Sequence, residues 1–465
     1  MFCKITPGGR EMQKINVQAP PIPHMFSNRD LRNLMIPLAI DQLLNSMMGT
    51  VGTLVVSHLG SAAISAVSLV DSINLLIVQA FYALAAGGTV VCSHYLGCKD
   101  QEHAGKAAKQ LVFITFVLSV FIAAACICFN GPLLHLIFGT VEEDVMTYAS
   151  QYFLISAISY PFIALYDDGA SIFRAQENSR LPMKISLFSN LINLALNLIF
   201  VMVLQMGVAG SALATLTARI FSAVTVFWLL RSPKFTISLR GYLSIRPEWG
   251  QIRRILYLGI PSGIENSMFQ FGKLALQSTV SLMGTTAIAA QGMANIMENL
   301  NGILAVGVGI GSMTIVGECL GAGRKDEAIY YVKKLSWISE VVIIASCIVV
   351  YLLVYPITYF GGMEPESADM CIYMVGWITI TKPIFWTLSF IPAYGFRAAG
   401  DVKFTMLVSA ASMWLCRVTL AIFLARVLHF GPIAVWIGMF TDWALRAAIF
   451  TIRFKSRKWL NHQVI

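Results

Sequence analysis

The sequence predicts an all-α integral membrane protein whose twelve transmembrane helices form two six-helix bundles, related by a pseudo-twofold axis along the membrane normal. Three observations predict this fold class. The chain is 57% apolar and only 12% charged, it contains an internal repeat, and its basic residues are concentrated in alternate connections between apolar stretches. Such a composition is far from that of a soluble domain.

A dozen apolar stretches of about 20 residues are each long enough to cross a hydrocarbon core about 30 Å thick. The predicted spans of the first half are 33–57, 66–92, 108–130, 146–170, 182–204 and 208–230, and those of the second half are 254–282, 289–317, 334–355, 370–395, 403–425 and 431–452. The predicted domains are an N-terminal tail 1–30, an N-lobe 31–230, a basic linker 231–253, a C-lobe 254–453 and a C-terminal tail 454–465.

The second half of the chain repeats the first at an offset of 224 residues. The matching segments are 36–41 and 260–265, Leu59-Gly60 and Met283-Gly284, and Leu96-Gly97 and Leu320-Gly321. An even number of helices in each half gives both halves the same orientation, so the repeats are parallel. A repeat of this kind is typical of transporters that alternate between two states.

The charge pattern predicts the topology. Lysine and arginine are concentrated in six segments: 99–109, 174–184, 231–254, 324–334, 397–403 and 453–458. By the positive-inside rule these segments and both termini are cytoplasmic. The net charge of +9 is therefore explained by the basic cytoplasmic connections of a membrane protein. Nucleic acid is not a predicted partner. Trp228, Trp436 and Trp459 lie near span ends and are predicted to anchor the protein at the membrane interface.

No enzyme, metal site or cofactor is predicted. The seven histidines and nine cysteines are scattered, without the spacing of metal ligands or a disulfide framework. No phosphate-binding loop with its Lys-Ser/Thr is present. The glycines of 307–311 lie within an apolar span, where they favour close helix packing.

The most informative candidates for a functional site are Asp41 and Glu265. They occupy equivalent positions, four residues after Pro37 and Pro261. An ionisable side chain near the bilayer centre costs about 2.5–3.5 kcal/mol on insertion scales, so each needs a partner or a water-filled cavity. We expect the two carboxylates to face one central cleft and to bind a proton, a cation or a cationic substrate. The alternative is that they hydrogen-bond neighbouring helices near the cytoplasmic surface.

Other ionisable residues within the spans are weaker candidates. Glu298 and Asp71 are possible ion or substrate groups, and Lys273 is a possible partner of Glu265 or a competitor for its proton. A structural role in pairing is predicted for the remaining ones, which are Asp167 and Asp168 with Arg174, and Lys382, Arg417, Arg446 and Asp442 within the second lobe.

Several short motifs, in this order and in both halves, resemble MATE (multidrug and toxic compound extrusion) transporters of the bacterial type. They are Leu59-Gly60 with Ala63 and Ala66, Leu96-Gly97, Phe173-Arg174-Ala175, Asn193 and Asn197, the segment 207–212 with Thr215, Phe396-Arg397-Ala398 and the segment 431–436. The resemblance covers the chain from Met25 to about Lys458.

The resemblance implies a V-shaped cleft and efflux of amphiphilic, often cationic compounds in exchange for inward H⁺ or Na⁺. It implies no cofactor, and we expect a monomer in the bacterial inner membrane, surrounded by lipid. Carboxylates that many family members carry are missing here, where Gly52, Asn197, Phe269 and Lys382-Pro383 stand instead. Asp41 and Glu265 would then substitute for them.

The coupling ion and the substrate class stay open. Asn193, Asn197 and Thr215 are predicted to supply neutral oxygens to a transient Na⁺ site. The alternative function is that of a flippase for a lipid-linked anionic substrate, to which Lys273 and other cations of the cleft would be suited.

Overall fold

The computed structural model describes residues 24–56, 59–139, 142–239 and 246–465, and these residues are almost entirely helical. The N-lobe helices are α1 (Asn28–Val56), α2 (Ser61–Gly97), α3 (Gln101–Cys128), α4 (Asn130–Phe138), α5 (Glu143–Ala175), α6 (Arg180–Asn197) and α7 (Gly207–Leu230). The C-lobe helices are α8 (Trp249–Ser281), α9 (Thr285–Gly321), α10 (Lys325–Phe360), α11 (Pro365–Ala398), α12 (Val402–Ser412), α13 (Leu420–Arg426) and α14 (Ile433–Lys455).

Two helices are lengthened by a π-helical segment. Leu198–Val203 extends α6, and Met413–Thr419 joins α12 to α13 in one continuous helix. With these joined and the nine-residue α4 set aside, the described residues form twelve long helices. Each predicted span falls on one of them, and the twelve-helix, two-lobe fold is confirmed.

The repeat is visible in the helix boundaries. Helices α2 and α9 both have 37 residues, and their ends differ by the same 224 positions as the sequence motifs. Each follows a glycine with positive φ, 102° at Gly60 and 96° at Gly284. A residue with a Cβ rarely adopts this conformation, so both lobes use the same tight turn to enter their second helix.

Nine of the described helical segments are long and apolar enough to cross a membrane. The three remaining long helices, α1, α5 and α8, contain Asp41, the Asp167-Asp168 pair and Glu265. The outward faces of the bundle expose large apolar side chains, such as Leu136 at 82%, as expected for contact with lipid.

The prediction that three tryptophans anchor the membrane interface is wrong for two of them. Trp228 is 71% exposed, but Trp436 and Trp459 are buried. The Trp436 indole N–H donates a hydrogen bond to Gln291 Oε1 at 2.9 Å, and Trp459 stacks on Phe454. Both rings therefore serve the packing of the C-lobe.

The lobes contact each other through α1 and α2 on one side and α8 and α9 on the other. The contact is closest where α2 and α9 end: a Cβ on Gly97 would lie 2.2 Å from the Glu318 carbonyl oxygen, and one on Gly321 2.1 Å from that of His94. His94 Nε2 also lies 2.7 Å from the Ala398 carbonyl oxygen. These ends lead into the basic connections, so the lobes are closed on the side that carries the positive charge.

Candidate substrate and ion sites

A cavity of about 460 Å³ lies between the lobes, away from the close contact of α2 and α9. We call it the central cavity. Its lining comprises Gln42, Ser46, Leu75 and Gln79 from the N-lobe, and Phe269, Gln270, Lys273, Glu298, Asn299, Gly302, Ile303, Val306, Trp386, Phe390, Arg417, Met439 and Trp443 from the C-lobe. Its volume is within the usual range for small-molecule sites.

The C-lobe wall of the central cavity contains one buried ion pair. Lys382 has no exposed surface, and its ammonium donates to Glu298 Oε1 at 2.7 Å and to the Glu298 carbonyl oxygen at 2.8 Å. The same ammonium lies 5.7 Å from the centroid of Trp386. Glu298 is therefore neutralised by a lysine of the same lobe.

Three cations surround the ring of Phe269 on this wall. Lys273 Nζ lies 5.0 Å from the ring centroid, Arg417 Cζ 5.1 Å and Arg446 Cζ 6.0 Å. Arg446 is paired with Asp442 at 2.8 Å, as predicted. Lys273 and Arg417 form no ion pair with any described carboxylate, so the prediction that Arg417 has a structural ion-pair partner is wrong. Together with the neutral Lys382–Glu298 pair, they give the wall an excess of positive charge.

The described part of the N-lobe wall of the cavity contains no charged side chain. Its polar groups are the amides of Gln42 and Gln79 and the hydroxyl of Ser46. A bound molecule would thus meet aromatic rings and cations on one side and neutral hydrogen-bonding groups on the other.

Asp41 lies inside the N-lobe and does not line the central cavity. It is 1% exposed, and its nearest basic group is Arg174 on α5, with Nη2 at 3.6 Å from Oδ2. Neither of its carboxylate oxygens accepts a well-formed hydrogen bond within the described residues, although Ser186 and Arg174 lie close to it. The Arg174 guanidinium also lies 5.8 Å from the centroid of Tyr82.

Glu265 occupies the equivalent place in the C-lobe. Its Oε1 accepts a hydrogen bond from Arg397 Nη2 at 2.7 Å, so its partner is Arg397 and not Lys273. It lines a smaller cavity of about 150 Å³ within the C-lobe. The expectation that Asp41 and Glu265 face one central cleft is therefore not met, because each is drawn to an arginine of its own lobe.

Neither of these two pairs is among the sequence predictions, which place Arg174 with Asp167 and Asp168 and give Arg397 no partner, although the sequence contains a signal for both pairs. Arg174 and Arg397 stand in the Phe-Arg-Ala motifs that close α5 and α11. A basic residue that recurs beside a recurring acid points to a pair in each repeat.

Asp71 belongs to a polar cluster in the N-lobe. Its Oδ1 accepts hydrogen bonds from Tyr152 and from Asn74, both at 3.2 Å. Arg219 of α7 is close to this cluster and donates to Ser159 Oγ at 2.6 Å. Arg219 is not among the predicted site residues, because it is an intramembrane cation without a conspicuous neighbour in the sequence.

Asp167 and Asp168 form no ion pair with Arg174 in the structure, contrary to prediction. Both are buried. Within the described residues, Asp167 Oδ2 and both oxygens of Asp168 accept no well-formed hydrogen bond, although Thr115 lies close to Asp168. The N-lobe therefore buries three carboxylates that are weakly paired.

Asn193, Asn197 and Thr215 do lie together, as expected for the proposed Na⁺ site. Their oxygens are largely occupied, however: Asn193 Nδ2 donates to Thr215 Oγ1 and Asn197 Nδ2 to Asn193 Oδ1, both at 3.1 Å. Only Asn197 Oδ1 is buried without a donor. Within the described residues there is also no group of three or more His, Cys, Asp or Glu side chains that could hold a metal ion.

The MatE family model matches residues 37–199 and 261–423, which are the two repeats and well over half of the chain. The chain belongs to this family. The two matched segments are separated by the same offset as the sequence repeat, so each lobe is one copy of the family's unit. This MATE chain is thus a multi-pass membrane transporter.

Curated relatives match it over nearly their full length. The chain is 23% identical to the "Probable multidrug resistance protein NorM" of Thermotoga maritima, covering 94% of both chains. It is 24% identical to the "Uncharacterized transporter YisQ" of Bacillus subtilis, covering 93% of this chain and 95% of the relative.

Solved MATE structures share the fold at lower identity. "Outward-facing conformation of a multidrug resistance MATE family transporter of the MOP superfamily" superposes with a TM-score of 0.86 at 18% identity, covering 92% of this chain and 95% of that one. "Reverse polarity of binding pocket suggests different function of a MOP superfamily transporter from Pyrococcus furiosus Vc1 (DSM3638)" has a TM-score of 0.86 at 17% identity, with coverage of 94% and 97%.

Proposed function

We propose that this MATE chain is a secondary active exporter of amphiphilic small molecules that works by alternating access of its two lobes. One observation carries the proposal: the lobes are in close backbone contact on one side of the molecule and enclose an aromatic-lined cavity elsewhere between them. Two rigid lobes around one binding site are what alternating access requires. The multidrug resistance names of the relatives point the same way.

The orientation follows from the charge pattern. The basic connections lie beside the closed ends of α2 and α9, so the positive-inside rule puts the closed side and both termini in the cytoplasm. The central cavity is then accessible from outside, in an outward-facing state. A bacterial inner membrane and a monomer are part of this proposal, since one chain supplies both lobes.

Inward movement of H⁺ is the coupling reaction that the side chains favour over Na⁺. The oxygens around Asn193 already accept hydrogen bonds from each other's amides. By contrast, Asp41, Asp167 and Asp168 are buried carboxylates with oxygens that accept no well-formed hydrogen bond among the described residues. One charge moving inward through 100 mV releases about 2.3 kcal/mol, which is enough to bias a two-state rearrangement.

Efflux from a pump-deficient bacterium tests the proposal. Cells that express the chain should extrude an amphiphilic dye, the extrusion should stop when a protonophore is added, and it should continue when Na⁺ is replaced by K⁺. Loss of efflux without Na⁺ would reject proton coupling, and no efflux of any dye, cationic or anionic, would reject the exporter.

A flippase for a lipid-linked anionic substrate is the second candidate. The observation that favours it is the pair of cations, Lys273 and Arg417, on the wall of the central cavity. The family resemblance implies cationic substrates for the exporter, but the charge of this wall favours the opposite sign.

A further inference from the structure

We propose that the C-lobe wall of the central cavity binds the anionic group of an amphiphilic organic anion, with Lys273 and Arg417 as its ligands. The apolar body of that molecule would lie against Trp386, Phe390 and Trp443. This inference rests on the proposed export function and names its substrate class: a carboxylate, sulfonate or phosphate joined to an apolar or aromatic body.

The first argument is that cations outnumber carboxylates on this wall. Glu298 attracts Lys273 and Arg417, but its ion pair within the described residues is with Lys382, and Asp442 is paired with Arg446. A charged side chain at membrane depth is costly without such a partner. Lys273 and Arg417 lack such a partner among the described residues. Their charges are available to a ligand.

The second argument is an unused donor. Arg417 is 7% exposed, and its Nε has no hydrogen-bond acceptor. A buried donor without an acceptor is unfavourable, and more so when it is charged. The planar guanidinium fork matches a carboxylate or phosphate, which would accept two hydrogen bonds from it.

The third argument is the local backbone. Arg417 lies in the π-helical segment Met413–Thr419, where the Thr419 hydroxyl donates to the Trp414 carbonyl oxygen, five residues back, at 2.8 Å. A π-helical turn shifts the side chains that follow it out of α-helical register, and such turns recur at functional sites.

The fourth argument is the opposite wall. Gln42, Ser46 and Gln79 offer neutral donors and acceptors, and no carboxylate of the described N-lobe lines the cavity. A cationic amphiphile would find aromatic rings here, but cations of the protein already lie over them: Lys273 and Arg417 over Phe269, Lys382 over Trp386 and Trp443, and Arg446 over Phe390. An anionic amphiphile would place its apolar part against the rings and its charged group beside Lys273 and Arg417.

The test uses two probes with the same body and opposite charge, pyrenebutyrate and pyrenebutylammonium. Binding to the full chain in nanodiscs of zwitterionic lipid is followed by energy transfer from tryptophan to pyrene, with protein-free nanodiscs as the blank. We expect the carboxylate to bind at least about tenfold more tightly than the ammonium probe. Equal or tighter binding of pyrenebutylammonium to the unaltered protein would overturn the proposal, whatever the variants do.

Variants locate the site. Lys273→Gln and Arg417→Gln should each weaken pyrenebutyrate binding by about tenfold or more, because a charge-assisted hydrogen bond contributes about 1.5–3 kcal/mol. Arg417→Lys should recover part of the loss. Lys403→Gln is the matched control, since Lys403 lies over Tyr257 at 5.2 Å, outside the central cavity. Unchanged pyrenebutyrate affinity in both cavity variants would overturn the assignment.

A transport experiment shows whether the bound anion is a lipid headgroup or a soluble molecule, and it tests the export function separately from binding. In proteoliposomes, accelerated movement of fluorescent phosphatidylglycerol between leaflets supports a lipid headgroup as the ligand, and uptake of pyrenebutyrate alone supports a soluble anion. If the carboxylate binds but neither is moved, the site stands and the export function fails. If a cationic dye is exported and the carboxylate does not bind, export stands and this inference fails.

Discussion

At the scale of single residues, the two lobes contain equivalent carboxylate–arginine pairs that differ in geometry. Each buries one carboxylate beside an arginine, but Glu265 accepts a hydrogen bond from Arg397 at 2.7 Å, whereas Asp41 is 3.6 Å from Arg174 and accepts none. Breaking a buried pair by removing one partner is destabilising because it leaves a charge without compensation. The unequal geometries suggest a structural pair in the C-lobe and a titratable group in the N-lobe.

The first prediction concerns the C-lobe pair. Glu265→Gln should lower the free energy of unfolding by about 3 kcal/mol, because Arg397 would keep its charge in a largely buried position. Asp41→Asn should lower it less, since no hydrogen bond is lost and Asp167 also lies near Arg174. Thermal unfolding of the purified variants shows which single variant loses more stability. The double variant Glu265→Gln/Arg397→Gln should be more stable than Glu265→Gln alone. Equal losses for the two single variants would contradict this ranking.

The second prediction concerns the N-lobe carboxylate. Asp41→Asn should abolish dye efflux while expression and the unfolding temperature stay close to those of the unaltered protein, because the change removes a titratable group and keeps its shape. Efflux and membrane abundance are measured on the same cells. Asp369→Asn, an exposed carboxylate at the start of α11, is the control and should export normally. Normal export by Asp41→Asn would rule out a coupling role for Asp41.

At the scale of elements, α2 and α9 show how closely the repeats correspond. Both begin after a glycine with positive φ, a conformation that a side chain disfavours. Both end in a glycine that touches the opposite lobe, where a side chain has no space. In α9, Gly284 has φ 96° and ψ 170°, a conformation essentially limited to glycine. Gly292, eight residues later, has nothing within 4 Å of a Cβ position.

The third prediction compares these two glycines of one element. Gly284→Ala should lower the free energy of unfolding by about 1–3 kcal/mol, because alanine is strained at this φ and ψ. Gly292→Ala should raise it by up to about 1 kcal/mol, because alanine favours an exposed helix interior. Unfolding temperatures of the two variants in one detergent provide the comparison. A lower unfolding temperature for Gly292→Ala than for Gly284→Ala would show that the turn is not strained by a side chain.

At the scale of the whole molecule, the sequence predicts the lobes better than the contacts inside them. Hydropathy and the repeat are local or periodic signals, and they place all twelve long helices and the equivalence of α2 with α9. The pairing of Asp41 with Arg174 joins residues of different helices, and no period in the sequence specifies which helices are neighbours. The π-helical segments and the burial of Trp436 depend on tertiary packing for the same reason.

The close approach of the lobes is also a whole-molecule property, because it brings equivalent glycines of the two repeats together around the pseudo-twofold axis. Gly97 and Gly321 are equivalent by sequence, and each lies against the backbone of the other lobe's helix. Cys98 Sγ is also 2.9 Å from the Gly321 carbonyl oxygen. Backbones can approach this closely only where small residues meet, so this contact sets how tightly the closed side can seal.

The last prediction is that Gly321→Ala opens the closed side. The added Cβ would lie 2.1 Å from the His94 carbonyl oxygen, which is backbone and cannot move aside without separating α2 from α9. The distance between spin labels on the ends of these helices, in a background without native cysteines, should lengthen, and the population with an accessible central cavity should fall. Gly292→Ala on the same helix is the control and should leave the distance unchanged. An unaltered distance in Gly321→Ala would mean that the lobes can close without the glycine contact. Other contacts along the interface between the lobes would then stabilise the closed side.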